Sequence, residues 1–540
     1  MSPLHYSGRE LEIEEGKSLF DYADALKVRV PTSCGRSGEC HECIVEVRIG
    51  SDALTQASPS EQFLRDNYRL ACQAKVANAD APIEFAVLRR QPRILTESVK
   101  RPVELDPTVV RRDDGVFRGD ERLDTYRGHV FGIAIDVGTT TVVLNLADLE
   151  TGEIVYTASF ENPQTFGGSD IMHRISYDGG EYRGELKQVM HSSVNFEIGD
   201  MCRRLKVHRR MIYDVVVVGN ATMRDIFFGF DVETIGEKPY KSVTELEVES
   251  GDRNTTTLTA NAAELGIRVF PGANVYSGPL IGSHVGADVA ADLLAIGMDE
   301  QEEVVVLVDV GTNTEVVVGN KDRMLAASCP AGPAFEGGQI AYGMPGFDGA
   351  VEAVTIEGDE CRCETIGGGD AQGICGSGLV DLLAELRRTG KMNEVGAFTN
   401  GASEFLFEPD KGMSLSRADI SALAQAKSAN YCGQWIVLRK FGAPVSDISK
   451  LFLAGGFANY VNVDNAIAVG FIANIPTDRV AKVGNAALEG ATLMLLSKRM
   501  RDVAEEMVKR IEHVELELTP DFFEIFVEGC MFNPMARSFA

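Results

Sequence analysis

Positive charge is scarce in this 540-residue chain: 52 Lys and Arg stand against 80 Asp and Glu, for a formal charge of −28. A surface of that sign repels nucleic-acid phosphates and anionic lipid, so neither is an expected partner. No run of about 18 uninterrupted apolar residues occurs, which excludes the ordinary spanning helix. The opening MSPLHYSGRELEIEEG lacks the basic-then-apolar pattern of a secretory signal. Cysteines number only eleven, an odd count. That argues against a secreted disulfide scaffold and for the cytoplasm, where clustered thiols are read first as metal ligands. Aromatic residues make up 7%. The signature G-x-x-x-x-G-K-[ST] is missing, so the chain is not a P-loop hydrolase.

What is present reads as a multidomain α/β protein, with 44% apolar residues and 54 glycines. Residues 1–88 hold short alternating strands, LEIEE, CIVEVRIG and APIEFAVL, around a cysteine loop. Residues 89–128 are rich in Arg, Asp and Pro and read as a linker with at most one short strand or helix. From Phe131 onward, buried-strand runs (FGIAID, YDVVVVGN, EVVVLVDV, EVVVGN, KLFLAGG) alternate with amphipathic helices such as GLVDLLAELRRTG and NAALEGATLMLLSKRM. GIAIDVGTTTVVLNLAD at 132–148 repeats as VVLVDVGTNTEVVVGN at 305–320. Each copy reads as a hairpin with a tight Gly turn, and two copies predict two related lobes, 129–300 and 301–540.

Four cysteines are spaced Cys34-x5-Cys40-x2-Cys43, with Cys72 following after 28 residues. Four thiolates are what a two-iron cluster needs, and the small residues of CGRSGEC let backbone N–H groups aim at sulfur. A four-cysteine zinc site is the competing reading; such sites usually come as two close pairs. His41 and Glu42 fall inside the loop and read as setting surface charge and partner choice. The plant-type ferredoxin pattern has four residues in the first gap. The five-residue gap, with TSCGRSGEC and RLACQ, resembles the adrenodoxin-like [2Fe–2S] ferredoxins, which implies a β-grasp domain with Cys34, Cys40, Cys43 and Cys72 as ligands.

The DVGTTT and DVGTNTE turns offer another way to hold phosphates. Glycine lets the backbone approach, while hydroxyls and free N–H groups surround the oxygens. Gly138, Thr139, Thr140 and Thr141 form one such turn, and Gly311, Thr312, Asn313 and Thr314 the other. Asp136 and Asp309, at the strand ends, suit holding Mg²⁺ through water or orienting an attacking water. Gly455 and Gly456, after the strand KLFLA, let the backbone lie against adenosine.

These motifs, with GNAALEGA at 484–491 as a second connecting helix, resemble the ATPase superfamily of acetate and sugar kinases, heat-shock chaperones and actin. The resemblance implies a two-lobed ribonuclease H-like fold that binds ATP and Mg²⁺. The order ferredoxin, linker, ATPase, together with VVVGNATM, LIGSHVGADVAADLL, SCPAGPAFEGG, GICGSGL and LAGGFANY, resembles the reductive activators of corrinoid proteins over nearly the whole chain. That resemblance implies ATP-dependent one-electron reduction of Co(II) corrinoid to Co(I), restoring a cobalamin-dependent methyltransferase system. The step is uphill from a typical ferredoxin. It further implies a corrinoid protein as partner, an electron donor (ferredoxin, flavodoxin or reductase), and a homodimer. Three rival readings are an activator of another low-potential enzyme such as 2-hydroxyacyl-CoA dehydratase, a nucleotide-gated chaperone-like protein with a redox-sensing cluster, and a small-molecule kinase. Cys361 and Cys363 are expected on an exposed hairpin; Cys202, Cys329, Cys375 and Cys432 in cores; and Ser283 as a helix N-cap. Near the C-terminus only Cys530 occurs, so a single cluster is expected.

Overall fold

The alternating segments of the first 88 residues fold as one five-stranded sheet. In the computed structural model, which describes residues 3–6, 9–88, 99–456 and 459–536, the strand order is Arg9–Glu12, Pro3–Tyr6, Ile83–Val87, Ile44–Ile49, Tyr68–Leu70. Leu4 lies opposite Ile83 in the parallel central pair, and the other neighbours run antiparallel. Helix Leu19–Ala25 shares a core with Val45, Val47 and Phe85. Its start is set by a reciprocal cap: the Ser18 hydroxyl accepts from the Asp21 N–H, and the Asp21 carboxylate accepts from the Ser18 N–H. This is a β-grasp, ferredoxin-like domain.

The stretch expected to be a linker is more ordered than that. Residues 89–98 lie outside the described residues, but Val109–Arg112, Gly115–Arg118 and Glu121–Thr125 form a three-stranded antiparallel meander. Its strands are short, charged and half exposed, so no apolar alternation betrays them. The turns at Asp113 and Gly119, both at positive φ, do the specifying.

Beyond Phe131 come two six-stranded sheets built to one plan. In the first lobe, Phe131–Val137, Thr141–Asp148 and Ile154–Glu161 pair antiparallel, and Ile212–Val218 lies parallel on the other side of the first strand. In the second, Val305–Val310, Thr314–Gly319, Met324–Cys329 and Lys450–Ala454 repeat the arrangement. The sequence repeat is therefore a structural duplication. The central strands are buried along almost their whole length, which is why they read as continuous apolar runs.

Between the lobes, helices Ala287–Ala295 and Ala486–Leu496 cross at Gly490, where a Cβ would fall 2.0 Å from the Ala291 carbonyl oxygen. Only glycine permits that approach. The helix expected over NAALEGATLMLLSKRM breaks at extended Ser497 into Ala486–Leu496 and Lys498–Val508. Residues just after 98 lie along this helix pair: Lys100 Nζ meets Glu489 at 2.8 Å, and Arg101 donates to the Leu294 carbonyl and to Asp299. No helix among the described residues is long and apolar enough to cross a membrane.

Candidate functional site

Each duplicated hairpin ends its first strand on an aspartate and turns on a glycine. At Gly138 a Cβ would meet the Thr141 carbonyl oxygen at 2.6 Å, so the turn is as tight as backbone allows. The two turns face each other across the cleft between the lobes. Thr140 and Thr312 hydroxyls lie 3.2 Å apart, and both donate to the Glu336 carboxylate, Thr140 at 2.9 Å. One buried carboxylate thus ties the two lobes together at the tips of their phosphate-type loops. Asn220, the N-cap of helix Ala221–Phe228, donates to Thr139 Oγ1 at 3.3 Å. Asn485, the N-cap of Ala486–Leu496, donates to Asp136 at 2.7 Å.

Of the residues expected here, Asp136, Gly138, Thr139, Thr140, Thr141, Asp309, Gly311, Thr312, Asn313, Gly455 and Gly456 all line this one cleft. Gly455 sits at φ +105, and a Cβ there would strike the Val310 carbonyl oxygen. The next two residues of that motif, Phe457 and Ala458, lie outside the described residues. Thr314 does not belong to the set. It is 1% exposed, already in the second strand opposite Val310 and Cys329, so the turn ends one residue earlier than its spelling implies. The structure adds Asp288, Asp292, Glu315, Glu336, Asn220 and Asn485. Asp288 and Asp292 were findable: two acids four apart in the otherwise apolar ADVAADLLA share one helix face and need a reason to be there. Nothing local marks Glu336.

Six carboxylates in one dry cleft repel one another. Burial first, and Asp309 next, push Asp136 up to about 7 against the side-chain hydrogen bond of Asn485. Burial, with Glu336 nearby, raises Asp309 to about 6. Asp288 rises to about 8 through burial, then Asp309 and Asp136, and Asp292 and Glu315 rise well above the usual carboxylate range. Among the described residues, no three His, Cys, Asp or Glu side chains are arranged to hold a metal ion directly. The paired Gly-Thr turns suit the phosphates of a nucleotide. Asn313 Nδ2, buried without a partner, is a donor available to such a phosphate.

A stability prediction follows from Asp136. Its folded pKa of about 7 lies above the ordinary 3.8 of an aspartate, so between those values the folded state holds a proton that the unfolded chain has released. Stability therefore falls as pH rises through that window. Asp136→Asn should flatten the fall, read as thermal unfolding of nucleotide-free protein at about pH 5 and about pH 7.5. Unchanged pH dependence would remove Asp136 from the protonated set.

The cysteine loop is the second centre. Its thiols fall in two pairs: Cys43 donates to Cys72 at 3.4 Å, and Cys34 interacts with Cys40. Burial works to raise Cys34, but hydrogen bonds from Ser37, Cys40 and the N–H groups of Cys40 and Gly38 outweigh it and bring the thiol to about 5. Cys72 falls to about 7 through its bond with Cys43, despite burial, with Gln73 adding a donor at 3.3 Å. Two thiol pairs, with N–H groups aimed at sulfur, fit a two-iron cluster, in which each iron takes two protein ligands.

His41 and Glu42 are not surface determinants. They dock the loop on helix Glu185–Leu205 of the first lobe: His41 Nδ1 meets Glu185 at 2.8 Å, Ser192 donates to Glu42 at 3.2 Å, and Gln188 donates to the Cys40 carbonyl at 3.2 Å. His41 also stacks on Phe63 (4.2 Å), which packs edge-on against Phe166 of the first lobe (5.5 Å). Phe166 belongs to the short turn Pro163–Gly167, and Asn162 just before it donates its side chain to the Gly138 carbonyl at 2.8 Å and its N–H to the Thr140 carbonyl at 2.7 Å. A continuous set of contacts thus runs from the cleft to the cysteine loop.

Of the remaining cysteines, Cys361 and Cys363 form a further thiol pair, in which the bond with Cys363 lowers Cys361 and raises Cys363. Cys202, Cys329, Cys375 and Cys432 are buried. Cys361 and Cys363 lie on a hairpin strand as expected, but half-buried, with Cys363 donating to the Phe407 carbonyl at 3.4 Å. Ser283 is no N-cap. It lies at positive φ with its N–H on Glu245, and Gly286 caps helix Ala287–Ala295 because a Cβ there would strike Asn220.

Fold and site define an iron–sulfur domain joined to a duplicated, two-lobed ASKHA-type domain. Family models match in that order: the 2Fe-2S iron-sulfur cluster binding domain over residues 4–77, the RACo middle region over 131–301, and the C-terminal domain of RACo, the ASKHA domain, over 303–539. The chain thus carries regions matching the RACo middle and C-terminal models behind a 2Fe-2S domain, in one continuous order. It is 26% identical to "Corrinoid activation enzyme RamQ" of Eubacterium limosum, over 97% of this chain and 98% of that protein. It is 24% identical to a "[Co(II) methylated amine-specific corrinoid protein] reductase" of Methanosarcina barkeri, over 74% of this chain and 76% of that one. A solved structure titled "Reductive activator for corrinoid,iron-sulfur protein" superposes with a TM-score of 0.72 at 28% identity, covering 99% of both chains.

Proposed function

We propose that this protein uses ATP to drive one-electron reduction of a corrinoid protein from Co(II) to Co(I), returning a cobalamin-dependent methyltransferase system to its methyl-accepting state. The observation that carries the reading is the contact route from the cleft, through Asn162, Phe166 and Phe63, to the loop of Cys34, Cys40 and Cys43. A kinase has no use for it. The named relatives support the corrinoid protein as substrate. Bound by the four cysteines, a [2Fe–2S] cluster supplies one-electron storage.

The residues divide the remaining work. Gly138–Thr141 and Gly311–Asn313 clamp the phosphates of ATP from opposite lobes, Asp136 and Asp309 would hold magnesium, which would neutralise phosphate charge, and Gly455 and Gly456 lie against adenosine. Phosphate between the loops displaces the Thr140–Glu336–Thr312 tie. Asn162 holds the carbonyls of the first loop, so loop movement is carried to Phe166 and the docked cysteine loop. Nucleotide shifts an uphill transfer only by binding the two arrangements unequally. For one electron each 59 mV is about tenfold in equilibrium, so a difference of a few kcal/mol suffices.

The test is direct. Chemically reduced protein with ATP and a Co(II) corrinoid protein should develop the Co(I) absorbance band, and ATP turnover should rise on adding the corrinoid protein. Turnover that ignores every corrinoid protein but rises with a free sugar or acid would establish a kinase instead.

A further inference from the structure

In a chain of net charge −28, one acid-free basic run lies beside the cysteine loop's docking helix. The segment RRLKVHRR at 203–210 carries Arg203, Arg204, Lys206, Arg209 and Arg210 and no acid. It closes the C-terminal end of helix Glu185–Leu205, the helix on which the cysteine loop docks. Arg29 of the ferredoxin-like domain joins it from across the domain boundary. Arg29, Arg203 and Arg204 all pair with the carboxylate of Asp200, Arg204 at 2.7 Å. Asp200 is 4% exposed, while the three arginine side chains are about half exposed. Three guanidiniums converge on this one carboxylate. Lys206, Arg210 and neighbouring Arg268 are exposed as well.

Helix-dipole compensation accounts for one or two basic residues in a last turn. It does not account for this crowd or for an arginine contributed by another domain. Partial burial first, then the neighbouring guanidiniums, pull Arg29 and Arg203 below the ordinary arginine value. A merely solvated face would mix signs, as the rest of this surface does.

The position is as specific as the charge. Arg29 lies five residues before Cys34. One helix face carries Ser192 against Glu42 of the cysteine loop, then Phe196 under the Arg29 guanidinium, then Asp200. At 1.5 Å per residue, Ser192 and Arg203 are separated by about 16 Å. The patch is also complete only while the ferredoxin-like domain sits on the first lobe, because Arg29 comes from one and Arg203 and Arg204 from the other.

We propose that this basic patch is the docking surface for an acidic protein that delivers electrons to the cluster. The inference rests on the reading that the cluster passes electrons onward. The donor is a one-electron carrier with an acidic face. It is oxidised by one electron, the cluster is reduced by one, and no bond forms or breaks. Opposite charge brings such a donor to this spot, while the acidic remainder of the molecule repels it elsewhere, which fixes orientation and raises the encounter rate. Nucleic acid and anionic lipid share the negative charge but present it over extended surfaces, which the rest of this protein repels.

The experiment uses full-length protein carrying its cluster and, as probe, a reduced acidic plant-type [2Fe–2S] ferredoxin. Lys206→Glu/Arg210→Glu avoids the Asp200 pairs and the cleft. Stopped-flow reduction of the wild-type cluster should slow steeply with added salt. At low salt the variant should be slower by about tenfold or more and nearly salt-independent. Reduction by dithionite and ATP turnover should be unchanged in the variant. Equal rates for variant and wild type would overturn the proposal. So would unaltered ferredoxin kinetics with loss of binding to phosphatidylserine vesicles or a DNA oligonucleotide. Formation of Co(I) from dithionite-reduced protein and ATP is scored separately. Its failure sinks the corrinoid reading and leaves the donor site standing.

Discussion

Asp309→Ala should lower ATP turnover by at least about a hundredfold, in the range lost when a group that acts on the reacting water is removed, while the visible spectrum of the cluster stays as in the wild type. Asp309 ends the strand Val305–Val310 at the mouth of the second phosphate-type turn and lines the cleft opposite Asp136. Burial, with Glu336 nearby, raises its carboxylate to about 6, and its place beside the Gly311 turn would let it hold magnesium through water. The same crowding yields a second readout. Taking one repelled carboxylate from a dry cleft relieves its neighbours, so nucleotide-free Asp309→Asn should melt no lower than the wild type. Phosphate release, the absorbance spectrum and a thermal melt check the three parts. An unchanged hydrolysis rate would take Asp309 out of the phosphate site.

The second large effect is expected at the domain boundary. Phe63→Ala should leave basal ATP turnover and the cluster spectrum near wild type, yet cut Co(I) formed per ATP hydrolysed by about tenfold, or about 1.4 kcal/mol of lost coupling. Phe63 is 3% exposed, stacked on His41 of the cysteine loop and edge-on to Phe166. Its own carbonyl accepts from the Tyr177 hydroxyl at 2.6 Å, so the backbone stays tethered when the ring is removed. A buried Phe→Ala change costs about 3–5 kcal/mol. Glu185→Gln, which alters only the side-chain contact with His41, is therefore the milder companion and should move the ratio in the same direction. Amide exchange along 185–205 should quicken in both. A yield of Co(I) per ATP equal to wild type in both variants would detach the aromatic contact from nucleotide coupling.

Much of the fold was legible because it was written locally. The cysteine loop announces itself by spacing, and the two hairpins by repeated spelling around an obligatory glycine. Asp136 and Asp309 could be picked out because an acid at the end of an apolar strand beside a Gly-Thr turn has few bland explanations. Thr314 shows where spelling misleads: it continues the motif in letters, but strand pairing with Cys329 claims it. The meander at 109–125 was hidden by its charged, half-exposed strands. Glu336 was hidden for another reason. It comes from a turn 196 residues beyond Thr140 and becomes a partner only through the tertiary fold.

The amino-acid sequence by itself determined that a four-cysteine domain precedes a duplicated pair of Gly-turn lobes, since ligand spacing, strand hydrophobicity and turn glycines are short-range properties. Tertiary structure alone decided that six carboxylates share one cleft, that Glu336 ties both turns, and that His41 and Glu42 face a helix of the first lobe rather than solvent. These depend on which surfaces meet. Helix crossing at Gly490 and packing of Phe63 on Phe166 bring together residues that no local pattern relates. Burial then changes what the same side chains do: a charge that would be solvated on an open surface becomes a raised pKa or a docking contact.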